Sequence, residues 1–159
     1  MRWRCTLQAS DAAAVGTLVA DTGFFSPDET LIAIELVEET LTRGKESGYE
    51  FLFADDPEGQ LLGYTCYGPI PATQSSFDLY WIAVSPQAQR QGMGAKLVRE
   101  TESLAKQQGA TRMFVDTAGR AEYVPTRAFY ERMGYHVEAS ITDFYAPGDA
   151  KVIYAKSLA

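Results

Sequence analysis

The 159 residues include 14 Lys and Arg against 21 Asp and Glu, a formal net charge of −7 at pH 7, which argues against nucleic acid because phosphate backbones need clustered basic side chains. The two cysteines are too few for a disulfide framework, no apolar run reaches the ~20 residues that span a bilayer, and the first 15 residues carry charges where a signal peptide is apolar. We therefore expect one domain over residues 1–159, cytoplasmic, with no metal and no membrane contact.

The first third of the chain predicts an edge strand followed by two helices. The strand spans residues 2–7. Two stripes of apolar residues recur at helical spacing, and they are Val15, Leu18 and Val19 in the first helix and Leu31, Ile34, Val37 and Leu41 in the second. Ser10 is placed to cap the first helix, and residues 26–29 form a capping box with proline at the first helical position. Residues 21–25 break the first helix, and Gly44 ends the second.

The middle of the chain predicts three strands and a long helix. Residues 50–54 and 61–70 form a hairpin around a turn-rich loop. Residues 77–84, FDLYWIAV, are almost all apolar and aromatic or β-branched, which predicts a central strand buried on both faces. A helix follows over about 93–107, and its inward-facing residues are Leu97, Val98, Thr101, Leu104 and Ala105.

The last third predicts a strand at 111–117, a short helix at 125–133 closed by Gly134, and two late strands near 135–145 and 151–157. The resulting order, β-α-α-β-β-β-α-β-α-β-β, indicates an α/β protein with a mixed sheet and helices on both faces. It excludes a plain Rossmann unit, in which strands and helices alternate strictly. The late strands are a candidate surface for a homodimer.

Residues 84–97, VSPQAQRQGMGAKL, place two glycines one residue apart between a strand and a helix. The first N–H groups of a helix lack intrahelical partners, the helix dipole is positive there, and glycine lets a phosphate approach the backbone. The turn therefore predicts an anion site, although helix packing explains such glycines equally well. The Gly-Lys-Ser/Thr of a P-loop and the third glycine of a dinucleotide fingerprint are both missing.

Two segments together resemble the GCN5-related N-acetyltransferase (GNAT) superfamily. Residues 84–97 look like its signature Val-x-Pro-x-x-Gln/Arg-x-x-Gly-x-Gly/Ala, and residues 128–135, AFYERMGY, look like its later Phe-Tyr-x-x-x-Gly-Phe/Tyr motif. The predicted order of elements matches the fold of that family as well. The resemblance implies acetyl-coenzyme A as co-substrate and direct acetyl transfer to a primary amine in a ternary complex.

The resemblance also implies which residues bind the coenzyme. The pyrophosphate would lie on the main-chain N–H groups of Gln89, Arg90, Gln91, Gly92, Met93, Gly94 and Ala95. The pantetheine arm would pair with the strand end formed by Ile82, Ala83 and Val84. The Arg90 side chain is equally well explained as a phosphate contact or as a surface group. Tyr123 stands where the family often has an asparagine that contacts pantetheine, and Thr126 or a backbone group is expected to replace it.

Acetyl transfer to an amine requires removal of a proton from the amine and delivery of one to the departing thiolate. The resemblance assigns the delivery to Tyr130, a phenol that stays protonated at neutral pH, although its position also suits a core aromatic. Two carboxylates are candidate bases. Burial among aromatics should raise the pKa of Asp78, and Asp116 occupies a position where ribosomal-protein alanine acetyltransferases carry a glutamate. Strand-end hydrogen bonds explain either aspartate as well, and bulk water is a further proton acceptor.

The resemblance further implies that the acceptor would lie near the link between the first two helices and beside the late strands, where residues of the hairpin would join them. Candidate residues there are Phe24, Phe25, Asp28, Glu29, Tyr64, Tyr67, Asp143, Phe144 and Tyr145. Aromatics with carboxylates suit a small amine or amino acid with some apolar bulk, but the C-terminal segment resembles peptide N-terminus acetyltransferases, so a peptide acceptor stays open. Phe24 and Phe25 are explained equally by packing between the helices, and Asp28 and Glu29 by the capping box.

Four alternatives to this interpretation remain at the level of sequence. Cys66 is a candidate acetyl carrier in a ping-pong scheme, although a strand cysteine is more often a small buried apolar residue. His136, the only histidine, is more simply a surface or packing residue. The whole chain is alternatively a non-catalytic sensor that binds coenzyme A, or a transferase for longer acyl chains.

Overall fold

The computed structural model describes all 159 residues. The strands are β1 (Arg2–Arg4), β2 (Glu50–Asp55), β3 (Leu61–Pro69), β4 (Ser76–Val84), β5 (Arg112–Ala118), β6 (His136–Ala146) and β7 (Asp149–Ser157). The helices are α1 (Asp11–Asp21), α2 (Pro27–Arg43), α3 (Met93–Gln107) and α4 (Val124–Arg132), with short 3-10 turns at Gly44–Ser47 and Ala121–Tyr123. The strands form one sheet in the order β1-β2-β3-β4-β5-β7-β6. The predicted α/β class and order of elements are confirmed.

The chain divides into two compact units. The first unit comprises Met1–Gly68 and Trp81–Leu104, and the second unit comprises Pro69–Tyr80 and Ala105–Ala159. Strand β4 and helix α3 therefore contribute residues to both units. The pairing of β4 with β5 is parallel, whereas β1 with β2, β2 with β3, β5 with β7 and β6 with β7 are antiparallel. None of the helices combines the length and the apolarity that crossing a membrane requires.

In the first unit, helices cover both faces of the β2–β3 hairpin. Successive side chains of a strand point to opposite faces. Phe51 and Phe53 accordingly lie in one buried cluster with residues of α1 and α2, and Leu52 and Ala54 lie in another with Leu97 of α3. The alternation along a single strand thus fixes α1 and α2 on one face and α3 on the other, which agrees with the predicted placement of helices on both faces.

The two predicted helix caps have different outcomes. The capping box at Ser26 is confirmed: its Oγ accepts the Glu29 N–H at 3.1 Å, and Glu29 Oε1 accepts the Ser26 N–H at 3.0 Å. The cap predicted at Ser10 is wrong, because its side chain makes no capping hydrogen bond. The neighbouring carboxylate of Asp11, held by the Arg4 guanidinium at 2.8 and 2.9 Å, accepts the Gln8 N–H at 2.7 Å instead.

The apolar stripe predicted for α2 is only partly correct. Val37 is fully buried, but Leu31 and Leu41 are 56% and 41% exposed. The buried positions include the small residue Ala33. A Cβ added at Gly16 of α1 would lie 2.7 Å from Cδ1 of Ile34, so the two helices approach closely. A close approach selects the face with small side chains, which the spacing of large apolar residues does not reveal.

Strand β4 is central in the sheet, as predicted, but it is not buried on both faces. Phe77, Leu79 and Ala83 are buried, whereas Asp78 is half-buried and Tyr80 is exposed. The buried residues occupy alternate positions, as they do in a strand with one covered face. The near-continuous run of apolar letters concealed this alternation.

Candidate active site

The turn between β4 and α3 lies in the first unit and passes through two left-handed residues. Arg90 has φ +63° and Gly92 has φ +77°. A Cβ added at Gly92 would meet nothing within 4 Å, so the backbone conformation rather than lack of space favours glycine there. The first hydrogen bond of α3 runs from the Lys96 N–H to the Gly92 carbonyl at 3.1 Å. The N–H groups of residues 93–95 precede it, where a helix has no internal acceptor for them.

Two glutamines hold this turn in shape. The Gln89 side-chain amide donates to the carbonyl of Val84 at 3.1 Å, and the Gln91 side-chain amide donates to the carbonyl of Gln87 at 3.1 Å. The Gln89 main-chain N–H already donates to the Ser85 carbonyl at 3.1 Å. In the predicted anion site, the side chains of Gln89 and Gln91 therefore hydrogen-bond to the backbone of the turn itself.

Gly63 on β3 supports the same turn and was missed from the sequence. A Cβ added there would lie 2.9 Å from Cδ1 of Leu97 and 3.1 Å from the carbonyl oxygen of Ala83. The Ser85 N–H also donates to the Leu62 carbonyl at 2.8 Å. The end of β4 is thus packed against the hairpin, and Ile82, Ala83 and Val84 contribute side chains to the two buried clusters of the first unit.

The ladder between β4 and β5 is short. Pairing covers Ser76 with Arg112, Phe77 with Met113 and Asp78 with Phe114, and it ends there although both strands continue. Strand β5 stays paired with β7 on its other side as far as Ala118. From Val115 onward, the edge of β5 on the side of β4 therefore carries main-chain groups that have no partner in the ladder. Such an edge can pair with another extended chain.

Tyr130 lies on α4 in the second unit, 3% exposed. Its ring packs edge-on against Phe129 and Tyr135, with centroids 5.3 and 5.6 Å apart. Burial raises its pKa above the usual value for a phenol. The side chain is therefore a buried aromatic that keeps its proton at neutral pH, which fits both roles inferred from the sequence.

The two candidate bases and a cation come together in the second unit. Burial, reinforced by the negative charge of Asp116, raises the pKa of Asp78 to about 6, and Lys151 opposes this shift. Lys151 Nζ lies 3.4 Å from Asp116 Oδ2. Lys151 was missed because nothing in the local sequence distinguishes it from a surface lysine on a late strand.

The segment before α4 is braced by arginines. The Arg120 guanidinium and main-chain N–H donate to the two carboxylate oxygens of Asp149 at 3.0 and 3.1 Å, and its Cζ lies 4.6 Å from the centroid of the Tyr123 ring. The Arg127 side chain donates to the carbonyls of Ala118 and Arg120 at 2.6 and 3.2 Å. Tyr123 therefore forms a cation–aromatic pair with Arg120.

Thr126, a candidate pantetheine contact, is half-buried on the first turn of α4.

The candidate acceptor residues are distributed over both units. In the first unit, the Phe24 ring lies edge-on to Phe25 at 5.1 Å, and Phe25 lies 4.9 Å from Trp81 of β4. Tyr64 is buried with its ring stacked against both Phe51 and Phe53, and its hydroxyl has no hydrogen-bond partner.

The other polar candidates have structural partners or are buried. In the second unit, Asp143 has φ +54° and accepts the Gly148 N–H at 2.7 Å, so it shapes the β6–β7 turn. His136 is exposed beside Glu138 at 3.0 Å. Cys66 in the first unit is fully buried, and burial raises the pKa of its thiol, which disfavours the thiolate that a ping-pong scheme needs.

Comparisons with known proteins agree with this architecture. The model of the acetyltransferase (GNAT) family matches residues 18–135. A crystal structure of an acetyltransferase assigned to the GNAT family, from Desulfovibrio desulfuricans, is 42% identical and covers 99% of each chain with a TM-score of 0.96. An aminoglycoside 6′-N-acetyltransferase solved with coenzyme A is 15% identical, covering 100% of this chain and 98% of that chain with a TM-score of 0.78, and it shares the fold. The uncharacterized N-acetyltransferase YuaI of Bacillus subtilis (strain 168) is 34% identical over 80 residues, 49% of this chain and 44% of that protein. The match thus spans less than half of that relative's length.

Proposed function

Because the chain belongs to the acetyltransferase (GNAT) family and is therefore an acyltransferase, we propose that it transfers the acetyl group of acetyl-coenzyme A directly to a primary amine in a ternary complex. The observation that carries the proposal is the left-handed turn at Arg90 and Gly92, because it opens the N-terminus of α3 directly after β4. The acceptor would be a small amine, an amino acid or a peptide N-terminus. The aminoglycoside 6′-N-acetyltransferase solved with coenzyme A has the same fold, which supports coenzyme A as the carrier of the acetyl group.

The turn suits a pyrophosphate. Left-handed residues next to a helix start direct successive N–H groups into one concavity, and the helix dipole adds positive potential there. Because the Gln89 N–H is used by Ser85, the proposal assigns the phosphate contacts to the N–H groups of residues 90–95. Gly92 leaves open space where any other residue would carry a Cβ.

The strand edges suit a pantetheine arm. The β4–β5 ladder stops after Asp78 and Phe114, and an amide-bearing chain can hydrogen-bond to strand groups that lack a ladder partner. The proposal assigns that pairing to the backbone of Ile82, Ala83 and Val84. Thr126 is the proposed additional contact in the segment where Tyr123 is engaged by Arg120.

Two proton transfers are assigned to the second unit. Bound acetyl-coenzyme A would supply an activated thioester. Tyr130 would deliver a proton to the thiolate sulfur, since its buried phenol is protonated at neutral pH. Asp78 would accept the proton of the amine, directly or through water, because a carboxylate with a pKa of about 6 is mostly ionised at pH 7 yet more basic than an exposed aspartate. Asp116 is the weaker candidate because Lys151 already pairs with it.

A thiol-release assay tests this function. Purified protein with acetyl-coenzyme A would be offered amino acids, polyamines, aminoglycosides and short peptides, with Tyr130→Phe in parallel. We expect saturable thiol release with one acceptor class and a loss of at least about tenfold in kcat for the variant, because general acid catalysis typically contributes about 100-fold or more. Calorimetry with coenzyme A separates the alternatives: binding without turnover would favour the sensor, and absence of binding would refute the proposal.

A further inference from the structure

Lys151 does not occupy the environment of an ordinary surface lysine. Its Nζ lies 3.4 Å from Asp116 Oδ2 and 4.7 Å from the centroid of the Phe144 ring. Its side chain is only 23% exposed. In the sheet register it stands opposite Ala118 of β5 and Ile141 of β6. The ammonium therefore lies between a carboxylate on one neighbouring strand, 48% exposed, and an aromatic face on the other.

The charged groups around this ammonium come from several strands. Asp78 on β4 and Asp116 on β5 repel each other, and Lys151 on β7 attracts both. Burial raises the pKa of the Tyr145 phenol on β6, and the negative charge of Asp116 raises it further. Arg120, Tyr123 and Asp149 contribute to the surroundings of Tyr145. Among these groups, Lys151 is the cation that acts on the two candidate bases together.

We propose that Lys151 is a positioning residue of the active site, which holds Asp116 in an ion pair and leaves Asp78 as the carboxylate that receives the proton of the amine. This inference rests on the proposed function for its catalytic half. Its structural half, the ion pair of Lys151 with Asp116 and the electrostatic effect of that ammonium on Asp78, does not depend on turnover. In this arrangement Asp116 and Lys151 act through Asp78 and do not exchange protons with the acceptor.

The proposal predicts opposite effects for the two partners. Removing the ammonium in Lys151→Met leaves two carboxylates facing each other, so Asp78 should titrate at a higher pH, by about half a pH unit or more. Removing the negative charge in Asp116→Asn should lower the titration midpoint of Asp78. Lys151→Arg keeps the charge and should restore the wild-type midpoint. Lys156→Met removes a lysine from the same strand, β7, that contacts Tyr135 instead, and it should leave Asp78 unchanged.

Two readouts test this assignment. Carbon-13 NMR of the aspartate carboxyl groups gives the midpoint of Asp78 in each variant, and the acid limb of kcat/KM against pH gives the midpoint of the essential base. We expect both to rise in Lys151→Met and both to fall in Asp116→Asn. A midpoint of Asp78 that stays unchanged in folded Lys151→Met would overturn the proposal, and so would an acid limb that stays in place while the NMR midpoint moves.

The failure of the proposed function would look different. In that case wild-type protein would give no thiol release with any amine. The NMR titration midpoint of Asp78 would still test whether Lys151 and Asp116 act on that carboxylate. Should Lys151→Met fail to fold, Asp116→Asn provides the test from the other side of the ion pair. An unchanged Asp78 midpoint in that variant would overturn the proposal as well.

Discussion

Asp78 and Phe114 form the last pair of the ladder between β4 and β5. The half-buried carboxylate of Asp78 thus stands at the point where two neighbouring strands cease to pair. Where both neighbouring strands stay paired, a half-buried carboxylate would only lower the stability of the protein, because burial disfavours its charged form. At the end of a ladder, the same desolvation produces a base whose pKa lies near neutrality.

This burial has a stability cost that depends on pH. The pKa of Asp78 is about 6 in the folded protein and 3.8 for an ordinary aspartate. The folded state therefore binds this proton more tightly than the unfolded state, and the free energy of unfolding should fall as pH rises from about 4 to about 6. A difference between pKa values of about 6 and 3.8 corresponds to a loss of about 3 kcal/mol in the free energy of unfolding. Because the Asp78 side chain is still partly in contact with water, we expect a smaller loss of about 1–2 kcal/mol.

Asp78→Asn should remove that cost. We expect the variant to be more stable than wild type by about 1–2 kcal/mol at pH 7 and equally stable below about pH 4, in urea titrations at several pH values. Acetyl transfer should be lost at the same time. Asp21→Asn, at the exposed last residue of α1, tests whether any aspartate gives the same pH dependence. A wild-type stability that is flat between pH 4 and pH 6 would contradict the assignment.

The glycine turn makes a prediction about coenzyme binding. Gly92→Ala must adopt φ +77° with a Cβ, which strains the turn by roughly 1 kcal/mol or more and shifts its N–H groups. We expect the affinity for coenzyme A, measured by calorimetry, to fall at least tenfold, about 1.4 kcal/mol. Gly148→Ala is the matched control, because Gly148 has φ +81° and equally open space in the β6–β7 turn. It should lose similar stability and keep its affinity; equal affinities in the two variants would argue against a phosphate site at the turn.

The difference between prediction and structure is clearest in the residues around Asp78 and the turn. Asp78 was recognisable because it is the lone carboxylate in an apolar strand, and Gly92 because of its place between a strand and a helix. Lys151 was not, because its partner lies 35 positions away and meets it through the register of β5 with β7. Gly63 was missed for the same reason, since its requirement comes from Ala83 and Leu97 across the first unit. Local patterns fix elements and motifs, whereas register and close approach between elements depend on the assembled sheet.

Replacing the serines before α1 and α2 tests which of them caps its helix. Ser26→Ala removes the acceptor of the Glu29 N–H and should destabilise the protein by about 1 kcal/mol. Ser10→Ala should change the free energy of unfolding by less than about 0.5 kcal/mol, because its side chain caps nothing. Parallel thermal unfolding of the two variants measures the difference. Equal losses in both variants would mean that Ser10 also caps its helix in solution.

The ion-pair cluster at the N-terminal strand is the strongest candidate for a large stability effect. Arg4 donates to Asp11 at 2.8 and 2.9 Å and to Asp55 at 2.8 Å, and its Cζ lies 4.4 Å from the centroid of the Phe53 ring. The carboxylates of Asp11 and Asp55 are 3% and 2% exposed. The guanidinium therefore pairs with two buried carboxylates and connects β1 with α1 and β2.

Replacing that guanidinium should strand both carboxylates. We expect Arg4→Met to lower the free energy of unfolding by about 3–5 kcal/mol, because the methionine keeps apolar contact with Phe53 but leaves the buried Asp11 without its ion pair and Asp55 with only the more distant Arg2. Arg2→Met removes an arginine from the same strand that is 69% exposed and 3.7 Å from Asp55, and it should cost less than about 1 kcal/mol. Urea titration of both variants at pH 7 measures the difference. A loss below about 1 kcal/mol in Arg4→Met would mean that water reaches Asp11 and Asp55 in solution.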